Sequence, residues 1–493
     1  MLDSKNSYRQ VIKATSLFGG VQVFNILISI VRSKFIALWI GPAGFGIATL
    51  LNTTIGLING MTNLGLDRSA VKDISFSHAN AQPEGTARTI QIVKRLVWFT
   101  AILGSVIMLA GAPWWSEIAF DSKEYTLSFV WISLALFFKQ LSNGQLAILQ
   151  GLRKLKKLAK ANLYGNLLAL LITLPLYYFY RIDAIVPAII ISSFIVFIFT
   201  YYFAHSEKVA TIKLTNREAF VEGKTMVQLG LTLSISSMIG LLVAYIIQIF
   251  ISQTGGLSEV GLYNAGFVIL NAYVGLVFTA METDYFPRLS AISDRIEAIR
   301  QTVLEQAFIA ILLILPIIVI FLAAAPFIIV LLYSNEFVPI IDMVRWGILG
   351  MVFKAVSFSM GYILIAKGDS RLFMKTAIGF NALLLIMNLS GYYFGGLEGL
   401  GISFLLYYII HFIGLRMITK TRYDFYFNKS FYGIFGICVL ICGISFLLTY
   451  IEYSYLKYGL LIVMAGFSFV FSYIQLDRKM DIKELFRKIF RRK

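Results

Sequence analysis

The chain is poor in the residues on which most enzyme and metal sites depend. It has two cysteines, three histidines and 26 acidic residues among 493, and charged residues make up only 14% of it. No phosphate-binding glycine loop, clustered His/Cys/Asp set or nucleotide-binding module is found along the sequence, so we expect no enzymatic activity and no bound cofactor. Cys438 and Cys442 are one helical turn apart in an apolar segment, which favours helix packing over a redox or metal role.

Apolar segments, by contrast, are abundant. Hydrophobic residues make up 58% of the chain and the mean hydropathy is +0.78. Runs of about 20 residues, the length that crosses a bilayer as a helix, recur from end to end. The sequence therefore predicts an all-α polytopic membrane protein with about fourteen transmembrane helices. The predicted spans cover residues 10–32, 44–65, 94–115, 126–150, 160–180, 183–203, 226–252, 262–283, 305–332, 339–366, 374–394, 397–416, 431–450 and 457–475.

Basic residues are distributed unequally between the two sides that these spans define. The termini and the alternate loops on their side hold 35 of the 43 Lys and Arg residues, the other side holds six, and two lie within spans. The positive-inside rule then places both termini in the cytoplasm. The basic cluster at residues 153–157 fits an orientation signal that contacts anionic membrane lipids better than a nucleic-acid site. Residues 477–493 fit a basic amphipathic tail on the cytoplasmic leaflet.

The two halves of the chain resemble each other. Residues 131–139 and 346–354 have the same length, begin with Trp and end with Phe-Lys. Further pairs match at an offset of 217, namely Gly44 with Gly261, Asp67 with Asp284, and Gly151 with Gly368. We predict a six-helix bundle at 1–205, a cytoplasmic linker at 206–225, a second six-helix bundle at 226–418, two accessory transmembrane helices at 419–476 and the tail at 477–493. Because six is even, both bundles keep one orientation about a pseudo-twofold axis along the membrane normal.

Polar residues recur at helical spacing on the first two spans of each repeat. Polar groups that face lipid lack hydrogen-bond partners, so such stripes line a water-filled interior or bond another helix. In the first case, Asn25, Asn59 and Asn271 are candidate substrate contacts. The stripes are Gln22, Asn25, Ser29 and Arg32; Thr49, Asn52, Gly56, Asn59, Asn63 and Asp67; Thr225, Gln228, Thr232 and Ser236; and Asn264, Asn271, Gly275, Thr279 and Glu282.

Two lysines, Lys139 and Lys354, lie deep in equivalent spans. A cation at the centre of a membrane helix costs about 2.5–3.5 kcal/mol. A chain that accepts this cost twice, in equivalent places, is predicted to use both charges on an internal anionic ligand, and an internal salt bridge is the alternative. Arg32, Lys34 and Arg345 end or open spans on the outer side, where they either anchor the helix at the interface or extend the cationic site.

Acidic residues near the cytoplasmic ends of the second and eighth spans are candidates for coupling and gating. They are Asp67, which Arg68 follows directly and with which it can pair, and Glu282 and Asp284 in the second repeat. Since no nucleotide-binding module is found in the sequence, the energy for transport is expected from an ion gradient, the membrane potential or the substrate gradient, unless a partner supplies it. Coupling to H⁺ or Na⁺ is one of these alternatives.

Short motifs in the first repeat add a family resemblance. They are Arg32-Ser33-Lys34, Gly41-Pro42-Ala43-Gly44-Phe45-Gly46 and residues 63–71, which read Asn-Leu-Gly-Leu-Asp-Arg-Ser-Ala-Val. With the repeat pattern, they resemble the O-antigen type of polysaccharide flippase in the multidrug/oligosaccharidyl-lipid/polysaccharide exporter superfamily. The resemblance implies two helical bundles around a cationic cavity lined by spans 1, 2, 7 and 8. It also implies alternating access that carries an undecaprenyl-diphosphate-linked oligosaccharide across a bacterial inner membrane, with a polysaccharide polymerase and chain-length machinery as partners.

Three other functions stay open on the sequence alone. Peptidoglycan-precursor flippases also have fourteen spans. A multidrug cation antiporter of the same superfamily needs acids deep in its bundles, whereas the deep charges here are basic. A membrane polysaccharide polymerase or ligase needs an external catalytic surface, whereas every predicted outer loop is short.

Overall fold

The structure is a computed structural model that describes residues 2–79, 83–207, 212, 214–290, 292 and 295–480. Within these ranges, the side chains of residues 2–23, 79, 279–280, 282–284, 286–287 and 479–480 lie outside the description. The predicted tail at 477–493 therefore falls mostly outside the described residues.

All regular structure in the described residues is helical. Fifteen α-helices are joined by two 3₁₀ helices, Arg181–Ala184 and Asn335–Ile340, and by one π-helix, Ile269–Val274. The α-helices are α1 Leu2–Thr62, α2 Leu66–Ala79, α3 Pro83–Ala110, α4 Ala112–Phe120, α5 Thr126–Gly151, α6 Leu155–Tyr180, α7 Ile185–His205, α8 Asn216–Gly255, α9 Leu257–Val268, α10 Leu276–Ser290, α11 Ile296–Leu332, α12 Ile341–Ala366, α13 Ser370–Tyr423, α14 Lys429–Leu448 and α15 Ser454–Met480.

The predicted all-α membrane fold is confirmed. Ten helical segments of the described chain are long and apolar enough to cross a membrane. Leu155–His205 and Ser370–Tyr423 each contain two of the predicted spans, and Phe24–Thr62 overlaps two others. Helix α5, which carries Lys139, is not one of these ten segments, but its bounds match the predicted span at 126–150.

Two glycines divide the longest helices where the sequence predicts a change of span. In α1, Gly41 has φ 64° and ψ −172° and is followed by Pro42. In α13, Gly396 has φ 55° and ψ −138°. Glycine adopts such positive φ angles easily, so the helical backbone is interrupted at both positions. In α1, Pro42 also has no amide hydrogen to donate to the helical hydrogen bonding. The interval between the predicted spans at 10–32 and 44–65 thus contains a sharp break inside one long helical segment.

The chain forms two compact units. Unit 1 comprises Met1–Gly261 with Leu332–Ser334, and unit 2 comprises Leu262–Leu331 with Asn335–Lys493. Helix α8 belongs to unit 1 and begins inside the predicted linker, where Thr215 and Glu218 form a reciprocal capping box at its first turn. The predicted division into repeats at 206–225 stays a prediction about ancestry.

The core of unit 1 holds α5 in a fixed orientation. Buried apolar residues of α2, α3, α5 and α8 pack together there, among them Ile74, Val93, Leu141, Ile148 and Met226. Leu141 and Ile148 lie two turns apart on α5, so burial of this face turns the opposite part of the helix toward α6 and α7. That second face carries Lys139.

Candidate functional site

Unit 1 contains a cavity of about 460 Å³ between α1, α5, α6 and α7. Its lining includes Lys139, Ser142, Asn143 and Leu146 of α5, which recur three and four residues apart and so share one helix face. We call it the Lys139 cavity. The other polar residues of its wall are Arg32, Asn52, Asn162, Asn166, Thr173, Tyr177, Ser192 and Ser193.

Two cations line the Lys139 cavity, and no acid is among the described residues of its wall. The Lys139 ammonium and the Arg32 guanidinium both lie in its wall. Among the described residues, no carboxylate forms an ion pair with Lys139. The Nε of Arg32 is buried and has no hydrogen-bond partner among the described residues. The described wall of this cavity therefore has two basic side chains.

Asparagine side chains give the cavity its hydrogen-bonding wall. Asn52, Asn143, Asn162 and Asn166 come from three different helices. Asn166 donates to the Oδ1 of Asn25 at 3.2 Å, which fixes α6 against α1. The predicted substrate contact Asn25 thus supports the wall of the cavity. The sequence prediction missed the asparagines of α6, although Asn162, Asn166, Thr173 and Tyr177 form a polar stripe on that helix.

In unit 2, Lys354 has partners that Lys139 lacks. Its Nζ donates to Asn271 Oδ1 at 2.8 Å. The same Nζ lies 5.3 Å, 5.8 Å and 6.0 Å from the ring centroids of Tyr408, Phe278 and Phe404, respectively, within the range of cation–π attraction. Asn271 belongs to the π-helix Ile269–Val274. The structure therefore brings together two predicted site residues, Lys354 and Asn271, in an aromatic enclosure.

The two repeats differ in what surrounds the equivalent lysines. At the spacing that separates Lys139 from Lys354, four residues near the Lys139 cavity have larger or aromatic counterparts in unit 2. Two of these counterparts, Phe404 and Tyr408, lie beside Lys354 in unit 2, whereas smaller and polar side chains line the cavity at Lys139 in unit 1. The pairs are Asn143 with Phe358, Ile189 with Phe404, Ser193 with Tyr408, and Val196 with His411.

Three other predicted site residues lie outside the Lys139 cavity. The Nζ of Lys34 donates to the Tyr333 carbonyl oxygen at 2.6 Å. Arg345 pairs with Asp342 one turn earlier, at 3.1 Å. The Oδ1 of Asn59 is buried and has no hydrogen-bond partner in the described part of the chain. Arg32 and Lys139 lie in the wall of one cavity, and Lys34 is not among the residues that line it.

A second cavity of about 500 Å³ adjoins the first and is lined by Asp67, Arg68, Val71, Asn143, Leu146, Ala147 and Gln150. We call it the Asp67 cavity. Asp67 Oδ1 accepts a hydrogen bond from Asn63 Nδ2 at 3.1 Å. Arg68 donates to the Leu233 carbonyl oxygen at 2.8 Å and to Ser237 Oγ at 2.9 Å. Arg68 therefore binds α8 instead of pairing with its neighbour Asp67.

The remaining charged candidates divide into two groups. The side chains of Glu282 and Asp284 lie outside the described residues. In the basic cluster at 153–157, Lys154 and Lys157 form ion pairs with Glu207 at 3.0 Å and 2.6 Å. Desolvation raises the pKa of Glu207, but these two lysines outweigh it and hold the pKa below its ordinary value. Part of the basic cluster at 153–157 is thus neutralised.

Comparison with known proteins gives consistent matches. A family described as "Polysaccharide biosynthesis protein" matches residues 35–342. The lipid III flippase of Escherichia coli (strain K12) is 24% identical over 374 residues, which cover 72% of this chain and 84% of the relative. A putative O-antigen transporter of Shigella flexneri is 22% identical over 357 residues, which cover 70% of this chain and 82% of the relative.

Solved structures with the same fold are transporters. The lipid II flippase MurJ, in an inward closed conformation, matches with a TM-score of 0.74 and 12% identity, covering 94% of this chain and 99% of that one. An inward-facing multidrug resistance MATE family transporter of the MOP superfamily matches with a TM-score of 0.63 and 15% identity, covering 83% and 94% of the two chains. At these identities, the likeness shows the fold alone.

Proposed function

Since this chain belongs to the family of polysaccharide biosynthesis proteins, we propose that it is a flippase for an undecaprenyl-diphosphate-linked oligosaccharide. The cargo is an O-antigen unit or a similar repeat unit of a surface polysaccharide. It moves from the cytoplasmic to the periplasmic leaflet by alternating access. This agrees with the resemblance found in the sequence motifs and with the names of the curated relatives, a lipid III flippase and a putative O-antigen transporter.

The observation that carries the proposal is the pair of uncompensated cations in the Lys139 cavity. The diphosphate is the anionic part of such a lipid, so it is the group that Lys139 and Arg32 attract. The amide and hydroxyl groups of the wall offer hydrogen bonds to sugar. A volume of about 460 Å³ lies within the ~300–1,000 Å³ of typical ligand sites. It suits the diphosphate and the adjoining sugar, while the apolar tail stays in lipid.

Charge also ranks the alternative functions. A peptidoglycan-precursor flippase handles the same lipid diphosphate, so it is the second candidate. A multidrug cation antiporter is disfavoured because an organic cation would meet Lys139 and Arg32, which repel it. A polymerase or ligase is disfavoured by the short predicted outer loops. Coupling to H⁺ or Na⁺, and partnership with a polymerase and chain-length machinery, are parts of the proposal.

Transport by the purified full chain in proteoliposomes separates these functions. We expect the undecaprenyl-diphosphate-linked repeat unit to cross the bilayer at least about tenfold faster than in protein-free vesicles. Lipid II and an organic cation such as ethidium should cross more slowly. Faster transport of lipid II would support the second candidate, and transport of ethidium alone would contradict the proposal.

The proposed direction of transport depends on the membrane topology. The unequal distribution of basic residues supports an inner-membrane protein with both termini in the cytoplasm. A reporter that is active only in the periplasm is expected to give a signal when fused after Lys123 and no signal when fused after Lys213. The reverse pattern would overturn both the orientation and the direction.

A further inference from the structure

The Lys139 cavity and the Asp67 cavity share part of their walls. Asn143 and Leu146 line both, and the two residues are one turn apart on the same face of α5. At the far end of the Asp67 cavity, Asp67, Arg68 and Gln150 are exposed. We infer that the two cavities form one continuous route, and that the anionic head group of the lipid passes Asn143 to reach Lys139. This inference rests on the proposed flippase function.

The charges along this route differ between its two parts. The Asp67 cavity has one carboxylate, held by Asn63, and one guanidinium, held by α8. Their charges offset each other, so this part does not retain an anion. Beyond Asn143 the wall has Lys139 and Arg32, and the part of it that the structure describes has no acid. An anion therefore gains electrostatic energy only after it passes Asn143, which makes the Asp67 cavity a vestibule and the Lys139 cavity the binding site.

Unit 2 shows how the passage can be closed. At the position equivalent to Asn143 it has Phe358, whose ring packs 5.4 Å from that of Phe278 and 5.0 Å from that of Tyr362. A phenylalanine is thus accommodated at this place in a helix of the same fold. The substitution Asn143→Phe gives unit 1 the side chain that unit 2 already has, and is expected to block the route without breaking α5.

The test measures access to Ser192, which lies in the wall of the Lys139 cavity but not in that of the Asp67 cavity. Ser192→Cys is introduced into the full chain with both native cysteines replaced by alanine, and a membrane-impermeant thiol reagent is applied to inside-out and right-side-out vesicles. Gln150→Cys marks the side on which the vestibule opens. We expect Ser192→Cys to be labelled from that side, and Asn143→Phe to slow the labelling at least about tenfold.

Two further variants make the result decisive. Leu146→Trp enlarges the side chain of the other residue that lines both cavities. It is expected to slow labelling as Asn143→Phe does, and it replaces that variant if Asn143→Phe fails to fold. Leu134→Trp is the matched control, because Leu134 is on the exposed side of α5, with 42% of its surface accessible, and lies outside both cavities. This control should leave labelling unchanged.

Unchanged labelling of Ser192→Cys in folded Asn143→Phe or Leu146→Trp protein would overturn the inference. The inference would also be overturned if Ser192→Cys were labelled only from the side of the membrane opposite to the side from which Gln150→Cys is labelled. The assay contains no substrate, so its outcome is independent of the flippase proposal. If the variants slow labelling but the wild-type protein transports none of the tested lipids, the inferred route stands and the proposed function is wrong.

Discussion

Cells that depend on Lys139→Ala protein are expected to lose about nine-tenths or more of their surface polysaccharide. The variant removes a charged group whose interaction with a phosphate is worth about 1.5–3 kcal/mol, which is roughly a 10- to 150-fold change in affinity. Lys139→Arg should retain part of the export, because its guanidinium keeps the positive charge although its shape differs. Surface polysaccharide extracted from a deletion strain carrying each variant measures the effect.

The control for this experiment is a lysine outside the cavity. Lys123→Ala removes a positive charge from an exposed loop, where Lys123 lies 3.9 Å from Glu117, and should leave export unchanged. Protein amounts in the membrane are compared by immunoblot. Normal surface polysaccharide from Lys139→Ala at a normal protein level would contradict the role given to Lys139.

Lys354→Ala is expected to destabilise the protein, in contrast to Lys139→Ala. The substitution leaves Asn271 Oδ1 without its donor and opens a hole between three aromatic rings. The lost hydrogen bond from the Lys354 ammonium and the lost cation–π contacts together cost about 2 kcal/mol or more. Lys139 has no such partners, so removing it should change stability little. The midpoint of thermal unfolding in detergent, measured for both variants and the wild type, distinguishes the two cases.

This comparison uses two lysines that the sequence makes equivalent. Equal midpoints for the two alanine variants would show that the aromatic enclosure contributes little. A lower unfolding midpoint for Lys139→Ala alone would contradict the assignment of Lys139 to the polar cavity and of Lys354 to the aromatic cluster. Lys354→Met is a second variant, since its unbranched apolar side chain fills part of the space and should recover part of the lost stability.

Much of the fold is predictable because hydropathy and glycine act locally. Apolar length marks each span, and Gly41 and Gly396 mark the breaks that separate paired spans. The predicted linker at 206–225 includes the start of α8, because Thr215 and Glu218 are polar residues of the kind found in loops. In the structure they form the reciprocal cap of this helix. Their spacing is nonetheless the signature of a helix start.

The site is less predictable because it depends on packing between helices. The depth of Lys139 and Lys354 follows from the sequence, but which one is enclosed by rings depends on α7 and α13. Asn162 and Asn166 are absent from the predicted site, because an asparagine can bond a neighbouring helix as easily as line a cavity. Arg68 has a neighbouring acid in the sequence, yet its partners are on α8.

Equilibrium binding of two lipids that differ by one phosphate tests the central claim most directly. Purified wild-type protein and the double variant Arg32→Gln/Lys139→Met are titrated with an undecaprenyl-diphosphate-linked oligosaccharide and with its monophosphate-linked counterpart. We predict that the wild type binds the diphosphate at least about tenfold more tightly and that the double variant loses this preference. A double variant that folds normally and keeps the full preference for the diphosphate would contradict the account.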